Sequence, residues 1–141
     1  MRALALVVTS LSLLVGAGTS HAIEVGDIFW LSSNGVSRTV VGVSRPQNGI
    51  VEVSYRILAD NASEFCARYP QHKPMSPEYD KCVKDVLKDA KGAVALVNCR
   101  TRSIVLEAGS FQKGNDHFWK SKADPNSFVL GDELFEKACG R

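Results

Sequence analysis

The sequence holds no CxxC, no GxSxG, no HExxH, no P-loop and no glycine-rich dinucleotide fingerprint. Those spacings bring together redox or metal-binding thiols, an activated serine, paired zinc ligands, or backbone amides around a phosphate. Their absence leaves metal, cofactor and nucleophilic chemistry without support, and no cofactor, metal ion or enzymatic activity is expected. Histidine is scarce, with three in the chain. His72 sits in the proline-bounded QHKP and reads as a solvated loop residue. His117 sits in NDHFWK, where a strand would turn its neighbour Asp116 to the opposite face. Charge of one sign is also lacking, with 17 Lys+Arg against 15 Asp+Glu. Sequence-independent nucleic-acid binding needs a dominant positive field, so nucleic acid is not an expected partner.

Long apolar runs are missing everywhere except at the start. MRALALVVTSLSLLVGAGTSHA has one early positive charge, Arg2, then an apolar run from Ala3 to Val15. Small residues follow, ending in Ser20-His21-Ala22. This is the pattern of a secretory signal peptide over residues 1–22. The run is shorter than the ~20 residues of a spanning helix, and no lipobox cysteine sits near residue 20. Removing 22 of 141 residues leaves 119, from Ile23 to Arg141, a single domain able to bury a core. Arg2 goes with the leader, so 16 cations face 15 anions, a net charge of +1. The product is expected in the periplasm or outside the cell, with no membrane span.

All four cysteines, Cys66, Cys82, Cys99 and Cys139, lie in that domain. An even number in an oxidising compartment reads as two disulfides, with three possible pairings. Cys66 and Cys82 flank a short loop between two candidate helices. Cys99 ends an apolar strand-like run, and Cys139 lies near the C-terminus. Local geometry favours Cys66–Cys82 with Cys99–Cys139.

Along the chain, IFWL (28–31), VSRTVVGV (36–43) and IVEVSYRI (50–57) read as three strands of an antiparallel meander. Ser33-Asn34-Gly35 and Pro46-Gln47-Asn48-Gly49 are the turns between them. In the third strand Val51, Val53 and Tyr55 face one way, and Glu52, Ser54 and Arg56 the other. Asn61 or Ser63 caps a short helix ended by Pro70. Ser76-Pro77 opens a second helix, with Gly92 as its stop. Tyr79, Cys82, Val83, Val86, Leu87 and Ala90 recur at helical spacing there and are expected to pack in the core. Strands follow at 93–99, 103–108 and 117–120, with Gly109 and Lys113-Gly114-Asn115 as loop signals; 127–130 is short and apolar. Asp132 caps a last helix over 133–138. The order predicts an α+β domain with a mostly antiparallel β-sheet or small partly open barrel. A helical pair is inserted at 60–91, and a helix closes the chain.

The C-terminal pieces VNCRTRSIVLEAG and FVLGDELFEKACG, with Trp119 between them, and the N-terminal IFWLSSNGVSRTVVGV carry a resemblance. They are similar to the small exported bacterial domains grouped with surface-adhesin protein E. The likeness covers about two-thirds of the mature chain in two pieces; the segment 60–91 departs from it. It implies Cys99–Cys139 as the family disulfide and, for some members, a binding role at the envelope. It carries over no ligand.

Two surface features are candidates for partner binding. In KGNDHFWKSK (113–122), Lys113, His117, Trp119 and Lys120 combine cations with aromatics. An exposed Trp119 would anchor a partner or stack on a sugar, whereas a buried one would be core. Arg100 and Arg102 share a face if the strand from 93 continues, and would then meet an anionic group. Asn61-Ala62-Ser63 matches a glycosylation sequon, read as chance in a bacterial protein. The expected function is a non-enzymatic exported domain binding a protein or cell-envelope polymer. The alternative is a periplasmic inhibitor or immunity protein against a cell-wall hydrolase, with 70–77 or 113–122 as its blocking loop. A minor enzyme assembled from distant residues stands third.

Overall fold

The computed structural model describes residues 21–33, 35–88 and 90–140. Nearly all of the expected leader and Asn34 of the expected first turn lie outside them. Eight strands run in order as one sheet: β1 (Ile28–Phe29), β2 (Arg38–Gln47), β3 (Ile50–Arg56), β4 (Ala93–Asn98), β5 (Ser103–Leu106), β6 (Gly109–Lys113), β7 (Trp119–Ser121) and β8 (Phe128–Val129). Every pairing is antiparallel. Helices α1 (Ala59–Ala67) and α2 (Pro77–Lys88) are inserted between β3 and β4, and α3 (Asp132–Cys139) ends the chain. The result is the α+β half-barrel that the strand pattern predicts.

The sheet curls because β2 is long and bulged. Its register against β3 slips between Val40 and Gly42 and again between Ser44 and Gln47. Bulges of this kind add twist and bend a strand. The turn to β3 is correspondingly tighter than expected: β2 runs through Pro46 and Gln47, and Gly49 takes φ +83°. The two short edge strands nearly meet. The Leu130 N–H donates to the Leu31 carbonyl at 3.0 Å, a single bond across the seam among the described residues.

Period-2 alternation fills the concave face. Val40, Val51, Val53, Tyr55, Ala95, Val97, Ile104, Leu106 and Phe111 point inward and are buried. α3 lies over them, sinking Leu134, Phe135 and Ala138 into the same core. Trp119 joins it, fully buried, with its ring centroid 5.1 Å from that of Phe135. Buried Ile23 closes one side, its N–H donating to the Lys137 carbonyl at 3.0 Å.

Two disulfides, Cys66–Cys82 and Cys99–Cys139, complete the framework, and no cysteine is free. The first joins α1 to α2; the second ties the end of β4 to the end of α3. Such crosslinks persist in oxidising, non-cytoplasmic compartments. Among the described residues no helix is long and apolar enough to cross a membrane.

Several expectations need correction. The apolar stripe of α2 is not core: no residue of α2 is buried, and the helix packs chiefly on α1. An apolar stripe demands cover, but a second short helix supplies part of it without the sheet. Asn61 does not cap α1. It sits inside the first turn, 1% exposed, where its Oδ1 accepts from the Leu58 N–H and the Thr39 hydroxyl and its Nδ2 donates to Ser37. His72 is half-buried rather than solvated, with its ring 5.3 Å from Tyr69. The loop signals at 109–115 conceal β6, which pairs with β5 and β7.

Candidate functional site

The segment 113–122 splits between inside and outside. Trp119 is a core residue, not a surface anchor, because alternation turns it inward opposite Val129. Its indole Nε1–H donates to Asp132 Oδ1 at 2.8 Å. Lys113, half-buried, donates to the same oxygen and lies over the Trp119 ring at 5.6 Å. Lys113 is therefore committed inward as well. Asp132 does not cap α3; its carboxylate serves these two donors. Burial pushes that carboxyl up, but the bonds from Lys113 and Trp119, the Lys113 charge and His117 outweigh it and hold it below the usual carboxylate range.

His117 approaches the other Asp132 oxygen at 3.5 Å, yet its side chain is 94% exposed. It lines neither of the two best-formed cavities among the described residues.

What the segment does expose is Phe118. It stacks edge-on with Phe128 at a centroid distance of 4.8 Å, both rings open to solvent. Lys120, the cross-strand partner of Phe128, stands on the same outer face, and Asp116 reaches it at 3.6 Å. An aromatic pair with a cation beside it, on the hairpin at one edge of the sheet, is therefore the form the candidate surface takes. Phe128 carried no signal in the sequence, since only register places it against Lys120.

Arg100 and Arg102 do not share a strand face. β4 stops at Asn98, whose Oδ1 accepts the N–H groups of Arg100 and Thr101, both at 3.0 Å, and turns the chain. Arg102 adopts φ +53° and lies over Phe135 at 5.9 Å. Arg100 lies across Gly49. Both are exposed, but they belong to a turn and do not converge.

A second site lies at one end of the half-barrel, beside the seam. A cavity of about 540 Å³ opens there. Its walls come from strand ends and the segments joining them, with Leu31 and Val129 from the seam, Leu106 from the end of β5, and Ala90 and Lys91 from the link into β4. Arg38 and Tyr55 line it too. Arg38 stands two residues before buried Val40, on the inner face, and is half-buried. Burial pushes its guanidinium down from the ordinary arginine value, opposed by Tyr55. Burial pushes the Tyr55 hydroxyl up, with the Arg38 charge opposing and Glu107 adding. Sequence reading missed this site because Arg38 sits in a β-branched run, and only closure of the sheet makes its face an interior.

No family model, curated protein or solved structure matches this chain.

Proposed function

We propose that this is a non-enzymatic exported domain of the bacterial periplasm or envelope, binding a protein or cell-envelope polymer through the outer face of the β7–β8 hairpin. The observation that supports this is the exposed Phe118–Phe128 pair with Lys120 beside it. Aromatic side chains give large contact area at low entropic cost and dominate binding hot spots. The partner would cover both rings and meet Lys120 with an acceptor. The surface-adhesin protein E resemblance of the sequence points to the same role.

The test is affinity capture from envelope extract with the processed protein and a Phe118→Ser/Phe128→Ser variant. A partner held by the native surface and lost from the variant, with both melting alike, is the expected result. A partner retained by the variant removes this face from the site.

One observation favours the inhibitor reading as second. Met75 is 90% exposed and held at φ +66°, on the loop between the helices that Cys66–Cys82 ties together. A non-glycine residue kept in the left-handed region and pushed into solvent is a feature functional loops show. Recovery of one stoichiometric cell-wall hydrolase, bound by the native protein and released by Met75→Asp, would place this reading first.

A further inference from the structure

An inner-face arginine in a small β-barrel is a costly choice. Alternation along β2 puts Arg38 in line with Val40, where an apolar side chain would pack without penalty. A half-buried cation on an otherwise apolar face gains from a counter-ion. Arg38 makes no ion pair among the described residues, and its one hydrogen bond goes to the Val36 carbonyl. The fork of a guanidinium carries five N–H donors, so most of them face the cavity or solvent. Tyr55 repeats the pattern. Its ring is buried, with the residue 8% exposed, while its hydroxyl is not among the buried atoms left without a partner and so reaches open space. Around these two groups the wall is apolar, with Leu31, Leu106 and Val129. At the rim Arg56 and Lys91 outnumber Glu107. At about 540 Å³ the space falls within the size range of small-molecule sites.

We propose that this cavity binds a small amphipathic carboxylate, with its apolar tail against Leu31, Leu106 and Val129 and its carboxylate received by the Arg38 guanidinium and the Tyr55 hydroxyl. The carboxylate matches the planar fork in a bidentate pair and supplies the missing counter-charge. Arg56 and Lys91 draw the anion to the rim, and the tail replaces water on an apolar wall. The site is separate from the β7–β8 face and does not depend on what that face binds.

The probes are decanoate, decyltrimethylammonium and acetate, titrated into the processed protein at pH 7 and followed by calorimetry and by the methyl signals of Leu31, Leu106 and Val129. Decanoate should bind one to one and shift those methyls. Acetate lacks the tail and the ammonium has the wrong charge, so neither should bind at the same concentration. Arg38→Gln should weaken decanoate by at least about tenfold, as loss of a charge-assisted hydrogen bond does. Tyr55→Phe removes one oxygen and should weaken it by about threefold or more. Phe118→Ser/Phe128→Ser should bind decanoate as the native chain does. Equal binding of the cationic amphiphile, no decanoate binding up to millimolar concentration, or full affinity in a folded Arg38→Gln variant would each overturn the proposal. Should Arg38→Gln fail to fold, Tyr55→Phe decides: it keeps the ring and its packing, and unchanged affinity there rejects the site.

Discussion

Asp132 shows how one side chain joins the core to the surface. Its carboxylate takes the indole of Trp119 and the ammonium of Lys113, and so orients the first turn of α3 against β6 and β7. Its pKa is depressed in the folded state. The carboxylate's contribution is therefore complete above the unfolded value of about 3.9 and is lost as pH falls through the lower folded one. Denaturant unfolding of the native chain and Asp132→Asn should differ by about 1–3 kcal/mol at pH 7, with the gap narrowing below about pH 4. A gap that stays constant down to pH 2 would mean that the charge is not what counts. Gly131, the residue before it, is a matter of space. A Cβ there would lie 2.7 Å from Ile104 Cδ1 and 2.9 Å from Trp119 Cγ. Gly131→Ala should cost about 1–3 kcal/mol through overpacking, read as a lower melting temperature; an unchanged one would show that Trp119 can move.

Among the elements, legibility followed how local the signal was. The alternation of β3 and the Ser76-Pro77 start of α2 sit within a few residues, and both emerged as expected. Ser76 Oγ accepts the Tyr79 N–H at 3.2 Å, which is the N-cap bond the sequence implies. β6 was not legible, because GSFQK holds one large apolar residue and is made a strand by its neighbours. Nor was the fate of the α2 stripe, since periodicity shows which face is apolar and not what covers it. The helical pair has little sheet contact, so the Cys66–Cys82 bridge should matter locally. It spans 16 residues and contributes about 3 kcal/mol in the chain-entropy picture. In Cys66→Ala/Cys82→Ala, amide exchange should speed up over α1 and α2 while β3 to β6 keep their protection. Uniform acceleration across the sheet would show instead that the insertion and half-barrel unfold as one unit.

At the scale of the whole molecule, the open half-barrel is held shut by few things. Among the described residues the seam has one backbone bond, the edge strands are two residues each, and α3 closes the concave face. α3 is itself anchored at its far end by Cys99–Cys139, which spans 40 residues and contributes about 4 kcal/mol. Set against the ~5–15 kcal/mol typical of domains, the two bridges together decide whether the fold persists. The cavity and the aromatic face both depend on that closure, one through the seam residues Leu31 and Val129, the other through the register of β7 and β8. The native protein should therefore show no reactive thiol before denaturation. Reduction should lower its melting temperature by more than about 15 °C, given the ~2–8 °C per kcal/mol expected for a chain of this size. Cys99→Ala/Cys139→Ala should account for the larger part, because it frees the helix that covers the core. If the fully reduced chain melts within a few degrees of the oxidised one, apolar packing alone holds α3 in place, and the disulfides no longer explain why this half-barrel stays closed.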